Sequence, residues 1–193
     1  MSESEHQNMS EQGYREVAGW TGRYFEDFGV GDIYLHPMGR TLTATDNQWF
    51  TLLTQNTSKT HLDVEFARQT EYTLPLVNST FVLALVTGQS TIDLSFNVYA
   101  NLGWDEVRIP KPVFEGDTIY SRSIVMATRE SKSKPQVGLV TVATEGYKQD
   151  GTIILTYRRT FMVYRRGAGP DLSANRPAVE SLIALAQHGT ESS

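Results

Sequence analysis

Asn78-Ser79-Thr80-Phe81-Val82-Leu83-Ala84-Leu85-Val86-Thr87-Gly88-Gln89-Ser90-Thr91-Ile92-Asp93-Leu94-Ser95 is the stretch that decides the fold. Written on a helix, Phe81, Val82, Leu83, Ala84, Leu85, Val86, Ile92 and Leu94 cover nearly every side. A helix that is apolar all round is buried in a core and does not lie on a surface. Asn78 and Ser79 supply the side-chain acceptors that start a helix. The stretch therefore predicts a central helix from residue 78 to about residue 94, wholly enclosed by other structure.

What encloses it lies downstream. Residues 98–109, 118–128, 137–144 and 153–164 are rich in β-branched and aromatic side chains, and Gly116-Asp117 and Asp150-Gly151 mark turns. The last two segments predict a hairpin. One buried helix followed by four long antiparallel strands predicts an α+β layout, with the sheet wrapped around the helix. Upstream, Ile33, Leu35 and Met38 read as a short strand that ends near Pro37. Thr45 or Asp46 then caps a helix whose apolar positions Trp49, Phe50, Leu52 and Leu53 recur near the helical period, ending near Asn56. A second short helix is expected over residues 63–69, with Asp63 as its cap, and Pro75 prevents its continuation.

Composition narrows the class. The 193 residues fit one domain, expected over residues 21–167, between a polar N-terminal tail (1–20) and a C-terminal extension (168–193) that holds a short helix over 174–187. With 17 Lys and Arg against 22 Asp and Glu the net charge is −5, which excludes the basic footprint of a nucleic-acid binder. The absence of cysteine removes disulfides, thiolate nucleophiles and Cys-ligated metals. His6, His36 and His188 form no metal-ligand spacing, so no metal is expected. No apolar run approaches the ~20 residues of a membrane span, and a cytoplasmic location is expected.

The chemistry-bearing residues sit between the two early helices, in Asn56-Thr57-Ser58-Lys59-Thr60-His61-Leu62-Asp63. This run resembles the Asp-x-Asn-Pro-x-His-x-Asp motif of the MaoC-like (R-specific) enoyl-CoA hydratases. His61 and Asp63 match its second half, Asn56 stands at the first Asp, Ser58 at the Asn and Lys59 at the Pro. Pro112-Val113-Phe114-Glu115-Gly116-Asp117 resembles the family's Pro-Val-Phe-x-Gly-Asp strand lead-in, and the likeness extends over residues 24–165. Asn78-Ser79-Thr80-Phe81 and Asn101-Leu102-Gly103-Trp104-Asp105-Glu106 look like the branch that includes mesaconyl-CoA and itaconyl-CoA hydratases. The resemblance implies a hot-dog fold, an acyl-CoA substrate, no cofactor, and a homodimer or larger assembly. It also implies a water held between the first motif residue and the His, and a thioester oxygen bound by the amide at the start of the central helix, where Ser79 stands.

The residues give the same assignment independent weight. Hydration of an enoyl thioester needs a base for water, an acid for Cα, and positive potential where the enolate oxygen develops charge. An unperturbed imidazole titrates near pH ~6.5, so His61 can carry a proton in either direction. Asn56 has no such proton to exchange, and either orients water or closes the preceding helix. The Ser79 N–H and the positive end of the helix dipole would polarise the carbonyl, with Asn78 beside them. Thr87 either reaches the pocket or bonds back to its own helix. Arg158, Arg159, Arg165 and Arg166 read as a solvated edge, with attraction of CoA phosphates as the alternative. Two rival readings remain: a thioesterase using Gln89 or Asp93, and a non-catalytic acyl-CoA-binding protein.

Overall fold

The computed structural model describes Val17 and residues 19–171. In chain order the elements are β1 (Ile33–Leu35), β2 (Arg40–Thr41), α1 (Ala44–Leu53), α2 (Lys59–Leu62), α3 (Val64–Ala67), α4 (Ser79–Gln89), β3 (Val98–Arg108), β4 (Thr118–Glu130), β5 (Val137–Lys148) and β6 (Ile153–Tyr164). The four long strands arise where the sequence predicts them, and β4 and β5 run a few residues further. All pairings are antiparallel, in the order β1-β4-β5-β6-β3, with β2 on the same edge of β4 as β1. Gly151, at a φ of +82°, turns β5 into β6, a conformation in which a Cβ is strained. No helix among the described residues is long and apolar enough to cross a membrane.

Helix α4 packs on one face of this sheet, giving the expected α+β layout. Val82 and Val86 pack against Ile119, Ile154, Leu155 and Tyr157, while Phe161, Val140 and Val142 build a second cluster around Leu94. Helix and sheet come close at Gly146 of β5, where a Cβ would stand 2.7 Å from Val86 Cγ2. Val86 is fully buried and its β-branched side chain has few rotamers to retreat into. Gly146→Ala is therefore expected to overpack this contact and destabilise the fold by about 1–3 kcal/mol. Denaturant unfolding of the two proteins checks this.

Three expectations are corrected. The first concerns α4, which stops at Gln89 and is followed by a single π-helical turn (Thr91–Ser95) in place of a continuous helix to residue 94. The Ser90 hydroxyl donates to the Thr87 carbonyl (2.6 Å), and Asp93 is held by Arg23 and His36, so side chains compete with the regular ladder there. Nor is this segment wholly enclosed, because Ser79, Thr80, Ala84 and Gly88 of α4 and Ile92 of the turn are exposed. One sheet covers one side of a helix, and among the described residues nothing covers the other.

The second correction is to α1, whose cap is Thr43. It forms a capping box with Asp46, so Thr45 and Asp46 lie inside the helix. Of its apolar positions Trp49, Leu52 and Leu53 are exposed, while Phe50 is half-buried and stacks on Phe81 of α4; the residues it buries fully are Asn47 and Thr51. Third, the segment between the two expected helices is itself partly helical, since Lys59–Leu62 makes a helical turn that carries His61. Asp63 does cap the next helix, accepting the Phe66 N–H at 2.9 Å. The C-terminal helix expected over 174–187 lies outside the described residues. Of the expected tail, Trp20 is described, and its Nε1 donates to the Ile92 carbonyl at 3.1 Å.

Candidate active site

Asn47 organises the site. Its Nδ2 donates to the carbonyls of His61 (3.2 Å) and Leu76 (3.1 Å), and its Oδ1 accepts the Asn78 N–H (2.8 Å). One buried amide thus joins α1, the turn that carries His61 and the start of α4. An unsatisfied buried amide is costly, so all three segments are held in register by the side chain that needs them. The His61 ring lies against the same carbonyl, with Nδ1 2.8 Å from Leu76 O. A carbonyl only accepts, so Nδ1 carries the proton in the neutral ring and Nε2 keeps its lone pair.

The start of α4 is built with equal economy. Asn78 is buried; its Oδ1 accepts the Thr80 N–H (3.0 Å) and hydroxyl (2.7 Å), and its Nδ2 reaches Thr51 Oγ1 (3.3 Å). Asn47 and Asn78 satisfy the amides on either side of Ser79, while among the described residues no acceptor takes up the Ser79 N–H itself. That N–H is the natural partner for an incoming oxygen, at the positive end of the helix. Ser79 and His61 line one cavity of about 280 Å³, together with Tyr72, Leu76, Val82 and Lys111. His61 also lines a second cavity of about 330 Å³, with Asn47, Leu62, Val64, Leu74 and Glu115.

The other residues singled out in the sequence are placed differently. Asn56 follows α1, and its Oδ1 accepts the Ser58 N–H (3.0 Å) in a local turn; it lines neither cavity. Thr87 is eight residues beyond Ser79, about 12 Å along the helix. Its hydroxyl meets Tyr157 OH (3.4 Å) and the Trp104 Nε1–H (3.3 Å), so it neither faces His61 nor bonds back to its helix. Gln89 is spent on the Met38 and Ile119 carbonyls and on the Ser121 hydroxyl. Asp93 is spent on Arg23 and His36. Neither thioesterase candidate lines a cavity with His61.

His36 is buried, with Nδ1 2.9 Å from Asp93 Oδ2 and Nε2 2.9 Å from Ser123 Oγ. Burial lowers its pKa below the ordinary 6.5, against the opposing pull of the Asp93 carboxylate. Below about pH 6.5 the unfolded chain therefore binds a proton that the native state resists. The corresponding stability is fully present above that value and is lost as pH falls through it. The unfolding midpoint is expected to drop between about pH 7.5 and pH 5.5, and His36→Gln to flatten that part of the profile, as denaturant titrations across the range can check. The arginines divide. Arg158, Arg165 and Arg166 pair with Glu106, Glu130 and Asp27 at the surface. Arg159, also expected at a solvated edge, is instead only 5% exposed, because it lies on the same buried face of β6 as Tyr157 and Phe161, bonded to Asn101 Oδ1 (2.7 Å) and stacked on Phe161.

A family model described as mesaconyl-CoA hydratase matches residues 8–175. The chain is 35% identical over 157 residues to a mesaconyl-CoA hydratase of Cereibacter sphaeroides, covering 81% of this chain and 44% of the relative. It is 31% identical over 162 residues to a β-methylmalyl-CoA dehydratase of Chloroflexus aurantiacus, covering 84% of this chain and 44% of that one. A Mycobacterium tuberculosis protein with a double hot-dog fold superposes with a TM-score of 0.71 at 26% identity, covering 83% of this chain and 52% of the other. The chain therefore has the hot-dog fold, and it spans less than half the length of these curated relatives.

Proposed function

Because this chain belongs to the mesaconyl-CoA hydratase family, we propose that it is an acyl-CoA hydratase/dehydratase that adds water to an enoyl-CoA thioester or removes it. One observation carries the proposal: the cavity that His61 shares with Ser79 brings an imidazole with a free Nε2 lone pair beside a free amide at a helix start. His61 Nε2 takes a proton from water, the hydroxide adds to Cβ, and the electron pair moves through Cα to the thioester oxygen. The Ser79 N–H and the α4 dipole stabilise that enolate. Cα then takes a proton from the His61 Nε2–H, which returns the ring to its starting tautomer. Asn78 and Asn47 hold the two halves of this apparatus. The turn that Asn56 makes with Ser58 favours a part in shaping the motif over one in holding water. The activities of the relatives favour a branched dicarboxylic acyl group such as mesaconyl.

A second hot-dog unit, most simply a second copy of this chain, is proposed to cover the open side of α4. Among the described residues, the uncovered face of α4, the edge strand β3 with Leu102 and Trp104 exposed, and the outward Trp49, Leu52 and Leu53 support association. The function is tested by incubating the protein with crotonyl-CoA, mesaconyl-CoA and itaconyl-CoA, following enoyl absorbance and trapping free thiol. Loss of enoyl absorbance with no thiol released is the expected result. Thiol release would favour the thioesterase reading instead, and tight binding with neither change would favour a non-catalytic one.

A further inference from the structure

We propose that Lys111 is the specificity-determining residue that recognises the free carboxylate of a dicarboxylic acyl thioester, an inference that rests on the hydratase reading of the same cavity. Lys111 lines the 280 Å³ cavity with His61 and Ser79, on the segment between β3 and β4. It is flanked by Pro110 and Pro112. The two rings fix φ on either side, and a residue before proline is confined to extended backbone, so the chain holds the base of this lysine still and leaves only its stem to adjust. Among the described residues Lys111 enters no ion pair, whereas Lys148 and Arg158, on the neighbouring strands, each have a carboxylate partner.

The two cavities that meet at His61 differ in sign. Lys111 is on the Ser79 side and Glu115 on the other. An acyl group whose thioester oxygen rests on the Ser79 N–H thus has an ammonium within its own cavity, and Glu115 repels a carboxylate from the alternative one. Val77, Val82, Ile109 and Val113 give the Ser79 cavity an apolar stretch of wall, which suits the carbon skeleton of a short branched chain. A neutral acyl group gains nothing from the ammonium. Lys111 therefore separates substrates from one another and adds little to the chemical step.

The test compares saturated thioesters, so that it does not depend on turnover. Dissociation constants for succinyl-CoA, butyryl-CoA and free CoA are measured with the wild-type protein, Lys111→Met and Lys111→Arg. Lys111 is exposed at the cavity rim, so neither variant threatens the core. Lys111→Met is expected to weaken succinyl-CoA about 10- to 100-fold, as for loss of a charged hydrogen bond, and to leave butyryl-CoA within about twofold. Lys111→Arg should restore most of the succinyl-CoA affinity. An equal loss for all three ligands would assign Lys111 to the CoA phosphates and overturn the proposal, as would no loss for any. Failure of the wild-type protein to hydrate any enoyl-CoA would overturn the hydratase reading separately, because the binding preference is read without catalysis.

Discussion

Replacing His61 by Ala is expected to lower kcat/KM for enoyl-CoA hydration by about 10²- to 10⁴-fold, the usual worth of a positioned acid or base. The fold should tolerate the change. His61 is half-buried, and the Leu76 carbonyl that its Nδ1 meets keeps a second donor in Asn47 Nδ2 at 3.1 Å. No buried acceptor is orphaned, so the thermal midpoint should move little. His61→Gln sharpens the result. Its amide can still donate to a carbonyl but has no proton to exchange near neutral pH. If His61 carries the proton, the Gln variant is as inactive as Ala in steady-state hydration assays. Near-native turnover by the Gln variant would reduce His61 to a structural role.

Ser79→Pro is expected to cost about 10²- to 10³-fold in kcat, the loss found when one oxyanion donor is removed. Ser79→Ala should cost far less. Proline deletes the backbone N–H while keeping the helix, because the first helical position is where proline is best tolerated. Asn78, which precedes it, already has φ −58° and ψ 125°, the extended conformation that a following proline demands. Alanine deletes the hydroxyl and keeps the N–H. Steady-state kinetics on the pair therefore separate amide from side chain. Equal losses would move the effect to the serine hydroxyl and remove α4 from the catalytic account.

How much of this was legible in the sequence varied with element length. The four long strands and α4 are repeated patterns of many residues, and each emerged within a few positions of its reading. Turns of four residues have no period to read, which is why the helical turn under His61 went unseen. At α4 the pattern spoke of apolarity on all sides, and one sheet could not bury it all. At α1 it misled, because only Phe50 of the apolar positions Trp49, Phe50, Leu52 and Leu53 packs inward, on Phe81, whereas the protein fully buries the polar pair Asn47 and Thr51. The demand that reversed it is local. Carbonyls of His61 and Leu76 and the amide of Asn78 must be satisfied inside the fold, and an asparagine on the facing stripe of a helix does so.

His61 and Ser79 were legible from motif spacing, and the fold brings them to one cavity. Asn47 was missed because its partners are 14 to 31 residues away and nothing local signals them. Its position four residues before Thr51, on one face of the helix, was the available hint. Thr87 was misplaced for the opposite reason. Helical spacing allowed it toward the pocket, but Tyr157 and Trp104, on distant strands, take its hydroxyl.

The most direct test is the product formed from mesaconyl-CoA in D₂O, analysed by NMR and mass spectrometry after return to H₂O. Addition of water across the double bond, with His61 delivering a solvent-derived proton to Cα, predicts an intact thioester that bears a new hydroxyl at Cβ and one non-exchangeable deuterium at Cα. Free CoA thiol beside an unaltered enoic acid would contradict it.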